Sequence, residues 1–455
     1  MMESTLVQAA KSMQGELHGI DNPFRGVSTD TRTLREGELF FALHGPNFDG
    51  REFVESAATK HAVAAVVERQ IDTGMANITV VDTRLALGKL AQSWRQQMPA
   101  RVISITGSNG KTTVKEMVAS CLALSTTTLA TEGNLNNDIG LPLMMLRLGH
   151  EHEFAVFELG ANHPEEIAYL TRLAQPHVVL ITNAAAAHLE GFGSIAGVAR
   201  AKGEILQDPQ TPEFAILNRD DEYFEIWTSM AENVAIVSFG KHRDAHFRAV
   251  DIVPTTTGSN FTLVLPEAEL SITLPIASEH NIINACAAAA ASSVLGMTPE
   301  QIKEGLEKVQ PIPGRLRPID GISGIRLFDD SYNANPASVI AAAEFLAAQS
   351  GESWLVLGDM AELGADAALL HESVGQALLD VGISRLYATG AQSKQTAAAF
   401  GEHAEWFASV DALIAGLLSA LSGHDDTNVL IKGSRSMRME RVVDALTGQF
   451  SEQGM

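Results

Sequence analysis

Residues 101–106, RVISIT, run without a break into GSNGKTT, and this junction constrains the fold more than any other stretch of the chain. A short apolar run that ends in glycines and gives way to helix-like spacing reads as a buried strand, a tight loop and a helix. A buried parallel strand needs neighbours joined by crossover helices, so the surrounding sequence must supply further strand and helix units. The loop also carries chemistry. Gly107 and Gly110 let backbone amides turn inward around phosphates, the helix N-terminus adds positive dipole, Lys111 neutralises oxygens, and the Thr112 hydroxyl is in reach of Mg²⁺. The common nucleotide loop would place glycine at position 105, where this chain has Ile105. The sequence is a shorter variant, T-G-x-x-G-K-T-T, with Ser108 and Asn109 at the free positions and Thr113 at its end. A bare turn is the competing reading, and the preceding strand and both glycines argue against it.

The alternation that such a strand demands is present along the whole chain. At about 150 residues per domain, 455 residues suggest three. The first, residues 1–83, has strand candidates at Leu39–Leu43, Ala62–Val67 and Ile78–Val81, with a polar loop, GPNFDG, between the first two. The second, residues 84–312, opens on the helix-like RLALGKLAQSWRQQM and continues through strand candidates at Phe154–Leu159, His177–Thr182 and Phe214–Leu217. From Phe247 to Pro275 its pattern changes to antiparallel hairpins, and an alanine-rich helix, NIINACAAAAASSVLG, follows. PIPGR at 311–315 discourages regular structure and reads as a linker. The third, residues 313–455, has strand candidates at Ile325–Phe328, Trp354–Leu357, Arg385–Ala388 and Val429–Ile431. The predicted fold class is α/β in three domains: a small N-terminal α/β domain, a central parallel sheet with added antiparallel strands, and a C-terminal doubly wound, Rossmann-like domain.

Charge narrows the partners. With 32 Lys and Arg against 55 Asp and Glu, the formal charge is −23, which disfavours a broad basic face for nucleic acid and means that an anionic ligand must be held locally. Cys121 and Cys286 are too few for a disulfide framework or a zinc cluster. No apolar run approaches bilayer length, and the first residues lack the basic and apolar regions of a secretory signal, so a cytoplasmic protein without membrane insertion is expected.

Other chemistry-bearing residues sit where strands end. Glu158 in FELGANH ends an apolar strand, where ligands gather in open α/β sheets; a metal would partner it, although a helix-cap role is equally open. His188 in AAAAHLEGFGS follows the next strand and would emerge at the same edge, which makes a metal cluster beside the phosphate loop. Lys202 in ARAKGEIL says little by itself, since most such lysines are solvated. Lys432, Arg435 and Ser436 in IKGSRSM lie at a strand end of the third domain, where they either grip a carboxylate or merely pack their stems.

TGSNGKTT, EGNLNNDIGLP, FELGANHPEEI, ITNAAAAHLEGFGS, AKGEIL, HNIINA, PGRLRP and FDDSYNANPAS occur in an order that resembles the Mur ligases, the ATP-dependent amide-forming enzymes of peptidoglycan precursor synthesis. The resemblance covers all three domains. DDSYNANP points to the branch that joins D-alanyl-D-alanine to UDP-N-acetylmuramoyl-tripeptide: folylpolyglutamate synthetases tend to carry an Ala-His-Asn-Pro version, and the Asp-Asn-Pro-Arg signature of the diaminopimelate-adding sibling is absent. The resemblance implies that Gly107 to Thr113 hold ATP and one Mg²⁺, with Glu158 sharing that metal and His188 near a second. It implies that Lys202 is carbamylated by CO₂, that Asn281 contacts adenine, and that Arg315 and Asp330 contact the nucleotide. Ser28, Thr29, Asp30, Arg32, Asn47 and Asp49 would receive the uridine diphosphate end, and Asn136 and Asn137 the muramyl portion. Asn333 and Asn335 would either meet the dipeptide amide or merely shape a turn into a helix starting at Pro336, with Lys432 or Arg435 on the dipeptide carboxylate, and Lys111, His188 and Lys202 would be the catalytic set. Where the family more often has histidine, this chain has Arg51, which is given no role. A monomer is expected. The rival readings are a sibling Mur or folylpolyglutamate-type ligase and a nucleotide-switched binding protein.

Overall fold

The structure is a computed structural model that describes residues 2–448 apart from 46–47, 73, 208–209, 211, 256–257 and 425. Its three main sheets follow one another along the chain. The first has the order Glu16–His18, Ala76–Thr79, Ala64–Val67, Leu39–Phe41, Val27–Ser28, parallel except at the Glu16–His18 edge. The two-residue period of a strand sorts its side chains. Leu39 and Phe41 join the core under the helix Leu6–Met13, whereas Phe40 and Ala42 face a separate cluster with Val54 and Ala57. The third strand lies two residues earlier than its sequence pattern suggests, because Asp82 caps the helix Thr83–Arg95 and leaves Val81 97% exposed. At the GPNFDG loop, His44–Gly45 pairs antiparallel with Phe48–Asp49.

The second sheet has nine strands in the order Thr128–Ala130, Phe154–Glu158, Arg101–Thr106, Val178–Ile181, Phe214–Asn218, Ala235–Gly240, Phe247–Pro254, Ser259–Val264, Glu269–Leu274. The first seven run parallel and the last two return as an antiparallel meander. On one face, Ile103, Ile105 and Val156 pack with helices Lys111–Leu122 and Glu279–Val294. The second of these helices keeps Ala285 and Ala287 to Ala291 fully buried; methyl-sized side chains let it lie close to its neighbours. The opposite face, with Val102, Ala155 and Phe157, shares a core with the first sheet through the helix Thr83–Arg95.

The third sheet runs Arg317–Asp320, Arg326–Asp330, Thr427–Lys432, Glu352–Gly358, Arg385–Thr389, Ala404–Phe407, parallel except for the first pair, with an apolar cluster on each face. Thr427–Lys432, late in the chain, lies between two earlier strands, and this reversal of order opens a crevice beyond the carboxyl ends of all three. Among the described residues, no helix is long and apolar enough to cross a membrane.

Candidate active site

The phosphate loop is shaped by close approaches that only glycine permits. Gly107 has φ +142°, and a Cβ there would lie 1.9 Å from Thr182 Oγ1; Gly110 has φ +81°, with Asn284 Oδ1 2.5 Å from the corresponding point. The loop is pinned to the neighbouring strand end by Thr182 Oγ1, which donates to Asn109 O at 2.6 Å, and by Asn109 N–H, which donates to Asn183 Oδ1 at 3.0 Å. Ser108 N–H donates to Asn183 O, and Ser108 Oγ donates to Ala185 O. Gly110 caps the helix Lys111–Leu122 with no side-chain acceptor, so the amides of its first turn keep their capacity for an anion. Lys111 Nζ donates to the loop carbonyls of Gly107 and Ser108, at 2.7 and 3.2 Å. Burial lowers its pKa, Glu158 opposes that shift and the charge of Arg315 adds to it.

The loop opens on a cavity of about 870 Å³ shared by the second and third sheets. Glu158, 3% exposed, ends its strand at the floor; its oxygens accept from Thr112 Oγ1 and Asn136 Nδ2, both at 2.9 Å. Both donors are neutral, and among the described residues Glu158 has no ion-pair partner, which leaves a buried carboxylate suited to a hard cation. Lys202 also lines the cavity at 1% exposure, with its Nζ 5.4 Å from the Phe192 ring centroid and no hydrogen bond or ion pair among the described residues. Burial pushes its pKa down to about 7, and the charge of Lys111 contributes. No three His, Cys, Asp or Glu side chains converge as a metal group among the described residues. The donors on offer are Glu158, Thr112 and His188, together with Lys202 if it becomes a carbamate carboxylate.

His188 contacts Glu362 of the third sheet, and Arg315 stacks 4.1 Å from the Tyr332 ring centroid on the cavity wall. Asn333, Asn335, Lys432, Arg435 and Ser436 also line the cavity. Asn335 both caps the helix Pro336–Ala347 and donates from Nδ2 to Asn109 Oδ1 at 2.7 Å, joining the third sheet to the phosphate loop. Lys432, 3% exposed, is committed within its own sheet: it pairs with Asp330 at 2.5 Å and donates to Asn333 O at 2.9 Å. Asp330 accepts from Leu316 N–H on its other oxygen and is not part of the lining. Arg435 reaches Glu440 at 3.0 Å with 63% of its side chain exposed, and remains the accessible cation there.

Several expected residues lie elsewhere. Thr113 and Asn281 are buried beside the loop; Asn281 donates to Ala277 O and accepts from Asn284 Nδ2, the neighbour of Gly110. Asn137 lines the cavity, and its Oδ1 accepts from Ile139 N–H and Gly140 N–H. Ser28, Thr29, Asp30, Arg32 and Asp49 are outside the lining: Ser28 ends the strand Val27–Ser28 with Thr29, Asp30 and Arg32 after it, and Asp49 ends the strand Phe48–Asp49. There Asp30 pairs with Arg32, and Asp49 with Arg51, whose guanidinium holds the Asp49 carboxyl down at about 2. Asn47 lies outside the described residues. Sequence reasoning missed Arg84, paired with Asp138 at 2.5 Å, as well as Tyr169, Tyr332 and Glu362. Arg84 and Tyr169 sit on helices, and Tyr332 and Glu362 sit two and four residues past a strand, with no glycine loop to mark them.

Three family profiles match in register with the three sheets: the Mur ligase family catalytic domain over residues 23–95, the Mur ligase middle domain over 105–292, and the Mur ligase glutamate ligase domain over 314–435. A relative from Escherichia coli K12 named UDP-N-acetylmuramoyl-tripeptide–D-alanyl-D-alanine ligase is 46% identical over 98% of this chain and 99% of its own. One of the same name from Bacillus subtilis is 33% identical over the same shares. The crystal structure of MurF from Acinetobacter baumannii superposes with a TM-score of 0.93 at 36% identity, covering 98% of this chain and 99% of that one. That of the Thermotoga maritima MurF ligase in complex with ADP gives 0.82 at 25%, covering 94% and 99%. The three sheets are thus those of a recognised architecture, and the chain belongs to the Mur ligase family.

Proposed function

We propose that the chain is an ATP-dependent ligase that joins D-alanyl-D-alanine to the terminal carboxylate of UDP-N-acetylmuramoyl-tripeptide, releasing ADP and phosphate, in the synthesis of peptidoglycan precursors. The observation that carries the reading is the end-to-end identity with the E. coli ligase, 46% over 98% of the chain. In this reading the first sheet, to about residue 83, takes the uridine diphosphate end at Ser28 to Arg32 and at Asp49. The central sheet, to about residue 312, takes ATP, and the third takes the dipeptide. The protein works as a cytoplasmic monomer.

A carboxylate oxygen is a poor leaving group, so ATP first converts the tripeptide carboxylate to an acyl phosphate, which the dipeptide amine then attacks. The loop amides and Lys111 hold the transferring phosphoryl group, and Arg315 on the facing wall adds a second positive charge. Asn281 sits at the first turn of the helix behind the loop, where the adenine would lie, and Asp330 acts on the nucleotide side through Lys432 and the segment that carries Arg315. Glu158 and Thr112 would hold one Mg²⁺; His188 and carbamylated Lys202 would hold another. When bound there, such ions would supply charge neutralisation for the phosphoryl oxygens. Lys202 supports its part: a buried amine with a pKa near 7 is neutral often enough to react with CO₂, and the carbamate would change an unpartnered cation into an anion. Asn333 and Asn335 offer amide partners to the dipeptide, Arg435 a carboxylate grip, and closure of the third sheet over the cavity excludes water from the acyl phosphate.

The test is a competition in which protein, ATP and UDP-N-acetylmuramoyl-tripeptide meet equal D-alanyl-D-alanine, D-alanine, D-glutamate and meso-diaminopimelate. The dipeptide should be incorporated, with phosphate released only when both substrates are present. Preferential incorporation of another acceptor would overturn the assignment within the family, and phosphate release without an acceptor would favour a nucleotide switch.

A further inference from the structure

An incoming dipeptide is a zwitterion, and a site that orients its amine toward an acyl phosphate needs a negative pole as well as a carboxylate grip. Five carboxylates line the cavity: Asp138, Glu158, Glu165, Glu166 and Glu362. Asp138 is bound to Arg84, Glu158 sits against Thr112 and Asn136 at the phosphate end, and Glu166 accepts from the Asn162 and His163 amides at a helix start. Four of the five belong to the central sheet, and only Glu362 comes from the third.

Glu362 also stands in the right company. It follows the strand Glu352–Gly358, and Arg435 follows the adjacent parallel strand Thr427–Lys432. The two connections are bound together, since Ser434 N–H donates to Asp359 O at 2.9 Å. One crevice therefore presents a carboxylate and an accessible guanidinium from neighbouring strand ends. Glu362 adopts φ +62° and its contact His188 φ +54°, a conformation that costs non-glycine residues about 1 kcal/mol each and persists where the surroundings impose it. Glu190 N–H holds Glu362 O at 3.2 Å, so the strained residue is fixed from both domains, while 49% of its side chain remains exposed toward the cavity.

We propose that Glu362 binds the ammonium group of the incoming dipeptide, with Arg435 at the opposite end, and that its contact with His188 marks the position this ammonium takes when substrate is present. The proposal rests on the reading of the protein as a dipeptide ligase, and names the residue that recognises the amine. A carboxylate facing an ammonium makes a charge-assisted hydrogen bond that a ligand without the charge cannot reproduce.

The experiment measures binding by calorimetry to the full chain loaded with a non-hydrolysable ATP analogue and UDP-N-acetylmuramoyl-tripeptide. It compares D-alanyl-D-alanine with D-lactoyl-D-alanine, in which a hydroxyl replaces the amine. Wild type should prefer the amine about tenfold or more. Glu362→Gln should abolish that preference while its affinity for the ATP analogue stays within about twofold, and Glu362→Asp should retain the preference at weaker overall affinity. Equal weakening of both dipeptides in Glu362→Gln, with the preference intact, would make Glu362 only a contact between domains and overturn the proposal. Failure of wild type to bind D-alanyl-D-alanine while it binds nucleotide would instead refute the dipeptide ligase reading itself.

Discussion

Lys432 was a candidate grip for the dipeptide carboxylate, and its surroundings predict a different consequence of removing it. Its side chain is 4% exposed and that of Asp330 13%, with Nζ 2.5 Å from the carboxylate. Asp330→Leu would leave the ammonium with Asn333 O alone and would take the acceptor from Leu316 N–H. Breaking a buried pair costs about 3–5 kcal/mol, and a lost hydrogen bond about 1 kcal/mol. Because Asp330 is not fully enclosed, water recovers part of this, and a net loss of about 3–4 kcal/mol is expected. Lys432→Met leaves a carboxylate that is still partly solvated and still bonded to Leu316, and should cost less, about 2 kcal/mol. The double variant should be more stable than the sum of the singles by about 2–3 kcal/mol. Urea titration read by hydrogen exchange of the Thr427–Lys432 strand isolates this part of a multidomain chain. With a slope of about 2 kcal/mol/M, the Asp330→Leu midpoint should move down by about 1.5–2 M. The Michaelis constant for the dipeptide in Lys432→Met should stay within about threefold of wild type. Additive losses, or a variant of native stability whose dipeptide constant alone rises tenfold, would refute the ion-pair assignment and return Lys432 to the substrate.

Lys111→Ala should abolish ligation with an unchanged circular dichroism spectrum, since it removes a phosphate charge and no core contact; near wild-type turnover would contradict the loop assignment. Lys202→Ala should be almost inactive and partly rescued by short carboxylic acids that occupy the vacated anion position, whereas full activity would make Lys202 a packing residue. His371, fully buried, accepts from Met360 N–H at Nε2 and faces Ala367 O with Nδ1, and burial holds its pKa below the usual imidazole range. The unfolded chain takes up a proton below about pH 6.5 that the folded one refuses, so this contribution is complete above that pH and shrinks as pH falls toward the folded value. The melting temperature of His371→Gln should therefore fall less steeply than that of wild type between about pH 7 and 5.5; equal slopes would show that His371 carries no such linkage.

What the sequence disclosed and what it concealed divide along physical lines. RVISIT emerged at Arg101–Thr106 as read, because a strand buried on both faces writes itself as an unbroken apolar run ending in glycine. Thr128–Ala130 and Ala404–Phe407 escaped: an edge strand is short, half-exposed and paired on one side, so little apolar patterning marks it. Arg317–Asp320 was hidden for the same reason, beside a proline-rich linker. At the site, the glycine loop and the strand-end Glu158 were legible because their chemistry is local. The partners of Lys432 and His188 were not, because Asp330 and Glu362 lie 102 and 174 positions away and only the sheet order brings them near.

The distribution of apolar surface also separates the domains that share a core from the one that does not. One continuous core runs from Leu6 and Phe41 through Leu87 and Leu90 to Leu141, Phe157 and Val198, so the first and second sheets are joined by buried side chains and would lose that burial on separating. The third sheet keeps its two apolar clusters to itself, with every member at residue 316 or beyond. Among the described residues, the polar links from the central sheet to it are the Asn109–Asn335 hydrogen bond, the Glu190 amide on Glu362 O and the His188–Glu362 contact. Each such link is worth about 1 kcal/mol or less where water can compete for it. A domain held by so few polar links is one whose position bound substrates can bias. Two of the three links involve Glu362 and the other the phosphate loop, so the groups that fasten the third domain are the same groups on which nucleotide and dipeptide would act. Pro311 to Arg315 joins the second and third sheets without regular structure, and it delivers Arg315 to the cavity wall between them.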